Sequence, residues 1–205
     1  MKSAKYIVTM FLASFFFLGT NAQQGTKKFE INYTVGVPTG NLKNVISQTS
    51  WRGGEGALMF GLTDQLSLGL QAGYQDFYQK FPREIISEAG SDISAVITNS
   101  IQVIPVMIKA KYNLASTASI QPFISLAAGA NLVTYQKFYG EFVDDKNSLG
   151  FAAQPSAGIH IPIGSAKQSG FHLAAGYNYM PFKYNDADGL SHATIKAGFT
   201  INLND

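Results

Sequence analysis

The segment that most constrains the fold is Ser119 to Thr134, SIQPFISLAAGANLVT, because its side chains alternate between two chemical sets. One set is apolar and includes Ile120, Ile124, Leu126 and Leu132, whereas the other is mostly small or polar. A period of two predicts a β-strand. Soluble strands usually have about 5 to 6 residues, while about 9 to 11 tilted residues cross a bilayer. Length and alternation together therefore predict a transmembrane barrel strand.

Seven further segments show the same alternation of apolar side chains with small or polar ones. In chain order, the predicted strands are Lys27 to Val37, Gly54 to Thr63, Gln65 to Phe77, Ile101 to Leu114, Ser119 to Thr134, Leu149 to Ile163, Phe171 to Phe182 and Ser191 to Leu203. Pro122 and Pro155 each remove a ladder donor, and we interpret them as local bulges. Eight alternating segments predict an all-β fold, namely an eight-stranded antiparallel up-and-down transmembrane β-barrel. An even number of strands is expected of such barrels.

The connections between these segments alternate in length. Short turns follow the second, fourth and sixth segments, and Thr63-Asp64-Gln65 indicates a tight hairpin. The longer connections are Pro38 to Gly53, Tyr78 to Ser100, Tyr135 to Ser148 and Lys183 to Leu190. Short periplasmic turns and longer extracellular loops are typical of outer-membrane barrels, so both termini are expected in the periplasm. The apolar Tyr78 to Ser100 connection leaves three alternatives open: continued strands, a short helix or a binding surface.

Aromatic residues on the predicted lipid face fall near the two ends of the strands. Those near the short turns are Phe29, Tyr112, Phe171 and Phe199, and those near the long loops are Tyr74, Phe151, Tyr177 and Tyr179. Small or aliphatic residues lie between them. Paired aromatic girdles mark the two interfaces of a transmembrane barrel, so this distribution favours a membrane-embedded barrel over a soluble one.

The N-terminus has the three parts of a secretory signal peptide. Lys2 and Lys5 precede an apolar run from Tyr6 to Leu18, and Thr20-Asn21-Ala22 is an acceptable cleavage site. We therefore predict a signal peptide over residues 1–22 and an outer-membrane β-barrel domain over residues 23–205. A transmembrane anchor is the alternative interpretation of the same run.

Composition excludes several classes of function. Loss of the two signal lysines lowers the 15 basic residues to 13, which equals the 13 acidic ones. No basic cluster exceeds Lys27-Lys28, so no nucleic-acid partner is expected. The chain has no cysteine, which excludes disulfides, thiol catalysis and cysteine-ligated zinc. No Ser-His-acid set is recognisable, and we predict neither an enzyme nor a cofactor or metal requirement.

Glycine and aromatic residues recur together in the strands, as in Leu70-Gln71-Ala72-Gly73-Tyr74 and Ala175-Gly176-Tyr177-Asn178-Tyr179. With the alternation, they make the chain from Lys27 to Leu203 resemble the small outer-membrane β-barrel domain family of porin-like proteins, similar to the eight-stranded barrel of outer-membrane protein A. Members often end on an aromatic residue, whereas this chain ends Ile201-Asn202-Leu203-Asn204-Asp205. The resemblance implies an integral protein of the cell outer membrane.

Strand parity places charged side chains inside the predicted barrel. These candidate lumen residues are Glu30, Glu55, Lys109, Lys111 and Lys196. Because unpaired buried charges are costly, we expect them to form a network of Glu-Lys pairs. A narrow ion or solute path is the alternative. His160 and His172 also point inward on either side of one turn, and a hydrogen-bonding role is expected in preference to metal binding.

The sequence thus predicts an outer-membrane barrel with a lumen filled by side chains, because an eight-stranded barrel is just wide enough for side chains to fill. Its expected role is structural or a surface interaction, with a narrow channel or transporter for small or hydrophobic solutes as the alternative. The expected partners are outer-membrane lipid and lipopolysaccharide, together with an extracellular ligand or protein bound through loops 38–53 and 78–100. No cofactor is expected.

Overall fold

The computed structural model describes residues 25–88, 91–139, 142–164, 169–184 and 187–203. The predicted signal peptide lies outside the described residues. Within them, no helix is long and apolar enough to span a bilayer.

The described residues fold almost entirely into β-strands, and one short helix among them follows the first strand. The elements are β1 (Lys27–Pro38), α1 (Leu42–Val45), β2 (Ser50–Gly61), β3 (Leu66–Glu88), β4 (Ser91–Asn113), β5 (Gln121–Tyr139), β6 (Phe142–Ile163), β7 (Ser169–Asn178), β8 (Lys183–Tyr184), β9 (Ala187–Asp188) and β10 (His192–Asn202). All eight predicted strands are present, as β1 to β7 and β10.

These eight long strands close into one antiparallel barrel in the order β1-β10-β7-β6-β5-β4-β3-β2. Each strand pairs with its neighbours in the chain, and β1 meets β10 from Lys28↔Asn202 to Pro38↔His192 to complete the ring. Closure leaves the barrel wall without a free edge, which transmembrane sheets require because lipid cannot satisfy backbone donors and acceptors. The predicted up-and-down topology is confirmed.

Alternation along the strands sorts side chains into two environments. On β10, His192, Thr194 and Lys196 are buried in the lumen, while Ile195 and Phe199 are 53% and 52% exposed on the outer face. The outward aromatic residues expected at the two interfaces are exposed or half-buried. Trp51 and Phe60 join them at 66% and 47% exposure.

Strands β2 and β7 differ in their boundaries from the sequence-based prediction. Strand β2 begins at Ser50 and not at Gly54, because Gly53 and Gly54 pair with Gln75 and Tyr74 in the ladder to β3. Strand β7 ends at Asn178 and not at Phe182, and Pro181, which has no backbone N–H, lies in the segment that leaves the ladder.

Two of the predicted long loops are largely hairpin. Strands β3 and β4 continue as paired strands to Glu88↔Ser91, so strand continuation is the correct alternative for Tyr78 to Ser100. The assignment of Tyr135 to Ser148 as a loop is wrong, because β5 and β6 remain paired up to Tyr139↔Phe142. Cross-strand pairing therefore continues in both segments past the stretch in which apolar and polar side chains alternate.

The interpretation of Pro122 and Pro155 as bulges is also wrong. The β5–β6 register runs without a shift through Pro122↔Ile159 and Leu126↔Pro155. Pro122 is the second residue of β5, close to the beginning of its ladders. Pro155 instead interrupts the β6–β7 ladder, which stops at Ser156↔Gly176 and resumes only as the isolated bridge Ala153↔Tyr179. A missing donor can thus interrupt one ladder without shifting the register of the other.

Candidate functional site: the barrel lumen

The five charged residues predicted to face the lumen come from four different strands. Glu30 lies on β1, Glu55 on β2, Lys109 and Lys111 on β4, and Lys196 on β10. Their side chains are between 3% and 8% exposed. The barrel therefore brings together residues that are up to 141 positions apart in sequence.

The two glutamates link the three lysines into one chain of ion pairs. Glu30 binds two of them, with its Oε2 atom 2.8 Å from Lys109 Nζ and its Oε1 atom 2.6 Å from Lys111 Nζ. Glu55 places Oε2 2.6 Å from Lys196 Nζ and Oε1 3.8 Å from Lys109 Nζ. Lys109 thus connects the two carboxylates, and the order of the chain is Lys111, Glu30, Lys109, Glu55, Lys196.

Neutral side chains make further contacts with the two ends of this ion-pair chain. The Lys196 ammonium also donates to Gln154 Oε1 at 2.6 Å, and Gln71 Nε2 donates to the same oxygen at 2.7 Å. At the other end of the ion-pair chain, Lys111 Nζ lies 4.2 Å from the centre of the Phe123 ring, a cation–π contact. Charged and polar side chains thus cross the barrel between β1, β2, β4, β6 and β10.

The two inward histidines lie opposite each other in the β6–β7 register, as His160↔His172. Each has different surroundings. His172 Nε2 contacts Asn32 Oδ1, and its Nδ1 atom lies 3.3 Å from Thr200 Oγ1. The Nδ1 atom of His160 is buried without a hydrogen-bond partner. Among the described residues, no group of three or more His, Cys, Asp or Glu side chains is arranged to hold a metal ion.

The half of the lumen toward the long hairpins is filled by apolar side chains. Helix α1 turns Leu42, Val45 and Ile46 inward, where they are 0%, 5% and 0% exposed. They belong to one buried cluster with residues of the barrel wall and of the β7–β10 connection, including Phe77, Ile101, Val103, Tyr135, Met180 and Leu190. We call α1 together with Ile46 the plug.

Polar contacts hold the plug in the mouth of the barrel. Asn99 on β4 donates its side-chain amide to the Val45 carbonyl oxygen at 3.1 Å. The backbone N–H of Ser47 donates to Gln79 Oε1 on β3 at 2.6 Å. The sequence predicts an extracellular loop over residues 38–53, and the structure differs by turning this segment inward. The spacing of Leu42, Val45 and Ile46, typical of one apolar helix face, was the available signal.

Two small cavities lie among the described residues of the lumen. One cavity of about 20 Å³ lies between Glu55, Gln154 and His192, and a second of about 20 Å³ lies between Glu30, Lys111 and His160. A cavity of this volume holds about one water molecule. Ion pairs therefore occupy the half of the lumen toward the short turns, and the plug occupies the half toward the long hairpins.

An antiparallel eight-stranded barrel with an apolar outer face and a polar lumen defines the class of small outer-membrane barrels. The family model for the outer membrane protein beta-barrel domain matches residues 10–202, and the chain belongs to this family. Family and fold together indicate a location in the outer membrane. No curated protein matches the chain in sequence.

Comparison with solved structures gives the following similarities. Neisserial surface protein A shares 11% identity with a TM-score of 0.55, over 90% of this chain and 100% of that chain. OprG from Pseudomonas aeruginosa shares 12% identity with a TM-score of 0.47, over 92% and 99%. The outer membrane protease OmpT from Escherichia coli shares 8% identity with a TM-score of 0.45, over 91% and 100%. At 11% identity, the likeness to Neisserial surface protein A supports the fold and assigns no activity.

Proposed function

We propose that this protein is a closed, non-enzymatic outer-membrane barrel that anchors an extracellular surface for interactions with other molecules. The observation that carries the proposal is the double filling of the lumen. The chain of ion pairs crosses the periplasmic half, and the plug fills the extracellular half with side chains such as Leu42 and Ile46 that are 0% exposed. A solute would have to displace both layers to pass through the barrel.

The surface that such a barrel would present is built from its long hairpins. Strand β3 pairs with β2 only as far as Arg52↔Asp76, but it pairs with β4 as far as Glu88↔Ser91. At about 3.3 Å per residue, the 12 steps from Asp76 to Glu88 give about 40 Å of strand beyond that point. This hairpin and the exposed side of segment 38–53, which lies outside the plug, are the proposed binding surfaces for an extracellular ligand or protein.

Arg52 reinforces the base of this hairpin. Its guanidinium lies 3.3 Å from Asp76 Oδ2 and 5.3 Å from the centre of the Tyr78 ring. The side chain of Arg52 is 64% exposed, so the ion pair is a surface one whose energetic contribution is small. Its proposed role is to orient the first residues of the hairpin, because a planar guanidinium can pair with a carboxylate and stack on an aromatic ring at the same time.

Two further parts of the proposal concern export and lipid. Residues 1–22 would direct secretion and be removed before Gln23, which the intact mass of the purified protein tests. The outward apolar face would contact outer-membrane lipid, including lipopolysaccharide on the extracellular side.

Conductance across planar bilayers tests the closed lumen. We expect the wild-type barrel to give no reproducible single-channel steps. A matched control would replace residues 41–47 with a Gly-Ser linker and carry E55A and K196A, which removes both layers of the filling and should produce steps. Reproducible steps from the wild-type barrel would overturn the closed-lumen proposal and favour a narrow channel or transporter for small or hydrophobic solutes.

A further inference from the structure

The outer face of the barrel carries an apolar depression of about 800 Å³ across β4 to β7. Its floor is formed by small or compact residues that include Ala110, Pro155, Ala157 and Ala175, and bulkier residues such as Leu126 form its sides. Outward side chains on a sheet stand roughly perpendicular to it, so a patch of alanines between larger residues leaves a groove. We call this depression the alanine groove.

A second cavity of about 610 Å³ lies at the extracellular rim, between the end of β1 and the segment that connects β7 to β10. Polar and aromatic side chains line it together with Met180 and Pro181. They include Thr39, Asn41, Tyr177, Tyr179, Lys183 and Ser191. Two hydrogen bonds fix the rim, because Thr39 Oγ1 donates to the Ser191 carbonyl oxygen at 2.9 Å and lies 3.4 Å from the Tyr177 hydroxyl. We call this cavity the rim pocket.

The alanine groove and the rim pocket meet at Tyr177, which lines both. Tyr177 and Tyr179 are outward residues of the extracellular aromatic belt, with 41% and 52% exposure. Aromatic belts lie at the level of lipid head groups. The rim pocket therefore lies at head-group level, and the alanine groove extends from it toward the periplasmic end, along the hydrocarbon layer.

An apolar groove that continues into a polar pocket at the membrane interface has the shape of one amphiphilic molecule. We propose that this surface binds a phosphorylated glycolipid of the outer leaflet, with one acyl chain in the alanine groove and the saccharide head group in the rim pocket. The hydroxyls of Thr39, Ser191 and the two tyrosines can hydrogen-bond sugar hydroxyls, and the tyrosine rings can pack against the apolar faces of sugar rings. Lys183 supplies a positive charge for a phosphate.

A glycerophospholipid fits the surface less well. Its head group is smaller than the rim pocket and offers fewer hydroxyls to the polar groups that line it. The inference rests on the lipid contact proposed above, but it is independent of the closed lumen and of the hairpin surface. Failure of glycolipid binding would leave the conductance result unaffected, so the two failures can be told apart.

Native mass spectrometry of the detergent-purified full-length mature barrel tests the site, with synthetic bisphosphorylated lipid A and a phosphatidylglycerol of similar chain length as probes. We expect lipid A to be retained at lower concentration than phosphatidylglycerol. K183Q should weaken lipid A retention about five-fold, the effect of one cation near a charged lipid surface. A175F should weaken it about ten-fold by filling the groove.

The matched controls lie on β3, outside both cavities. Ala72 is two residues below the belt residue Tyr74, as Ala175 is below Tyr177, so A72F adds the same bulk at a comparable depth. K80Q removes an exposed lysine elsewhere on the extracellular side. Y179A provides a rim variant if A175F does not show the heat-modifiable mobility of a folded barrel. Equal retention of both lipids, or equal losses in the controls and the site variants, would overturn the proposal.

Discussion

At the scale of single residues, Lys196 shows how the lumen constrains individual side chains. Its ammonium lies 2.6 Å from Glu55 Oε2 and 2.6 Å from Gln154 Oε1, inside a side chain that is 3% exposed. Loss of this ammonium leaves Glu55 with only the 3.8 Å contact to Lys109 among its ion pairs in the described residues. A buried carboxylate that loses its partner cannot recover the solvation it would have in water.

K196M should therefore destabilise the barrel. Removing one member of a buried ion pair costs about 3 to 5 kcal/mol, and water in the lumen would reduce that cost. The measurement is the urea midpoint of unfolding in lipid vesicles, followed by the shift between folded and unfolded mobility on gels. K80M is the control, since Lys80 is exposed on β3 above the belt. Equal midpoints for K196M and wild type would show that the ion-pair chain adds no stability.

At the scale of secondary structure, each strand has to satisfy two solvents at once. Ile195 and Lys196 are neighbours on β10, yet Ile195 is 53% exposed on the outer face and Lys196 is 3% exposed in the lumen. A slip of one residue would exchange the two environments along the whole strand. The register of β10 against β1, with Val35↔Ile195 and Thr34↔Lys196, prevents this exchange.

I195K tests the assignment of faces on β10. A lysine that faces lipid near the midplane costs about 2 to 4 kcal/mol, whereas the cost falls to about 0 to 1 kcal/mol near an interface. We therefore expect I195K to lower the urea midpoint clearly and L203K, beyond the periplasmic end of the same strand, to change it little. Comparable effects of the two substitutions in lipid vesicles would contradict the assigned depth of Ile195.

The helix-containing connection between β1 and β2 differs most from its prediction. The sequence predicts an extracellular loop, whereas the structure turns this connection into the barrel mouth. Three of its residues, Leu42, Val45 and Ile46, pack against the wall residues Phe77 and Ile101 inside the barrel mouth. Burial of such side chains is worth about 1.5 to 3 kcal/mol each relative to exposure. This gain explains why the connection turns inward and does not extend into solvent.

At the scale of the whole molecule, the two ends of the barrel are built differently. The turns after β2, β4 and β6 are short, while the opposite end carries the β3–β4 hairpin, the β5–β6 hairpin and the plug. Short turns are typical of the periplasmic end. The orientation that we propose therefore places the β3–β4 hairpin outside the cell and the Thr63-Asp64-Gln65 turn in the periplasm.

Single-cysteine labelling tests this orientation, because the natural sequence has no cysteine. In R83C the new thiol lies on the exposed side of the β3–β4 hairpin, and in D64C it lies in the short turn between β2 and β3. A membrane-impermeant maleimide should label R83C on intact cells and D64C only after the outer membrane is permeabilised. The reverse pattern would show that the barrel is inserted upside down relative to our assignment.

Local patterns in the sequence are enough to predict the strands, the side chains on each of their faces and the membrane location. Alternation is a local property with a period of two. A strand such as Ser119 to Thr134 can therefore be recognised without knowing which strands pair with it. The same parity identified Glu30, Glu55, Lys109, Lys111 and Lys196 as inward residues. Strand extension above the membrane was only one of several alternatives for Tyr78 to Ser100, because no local signal marks where a barrel strand leaves the lipid.

Which inward side chains contact each other depends on the tertiary structure and cannot be predicted from the local pattern. Lys109 binds Glu30 across 79 positions of sequence because the closed ring brings the inner faces of β4 and β1 close together. A local sequence pattern cannot show which residues will meet over such a separation. The plug and the junction of the alanine groove with the rim pocket at Tyr177 arise in the same way. Each joins segments that are distant in sequence, so their contacts depend on barrel closure and strand register, while the lipid-facing pattern depends only on each strand's own alternation.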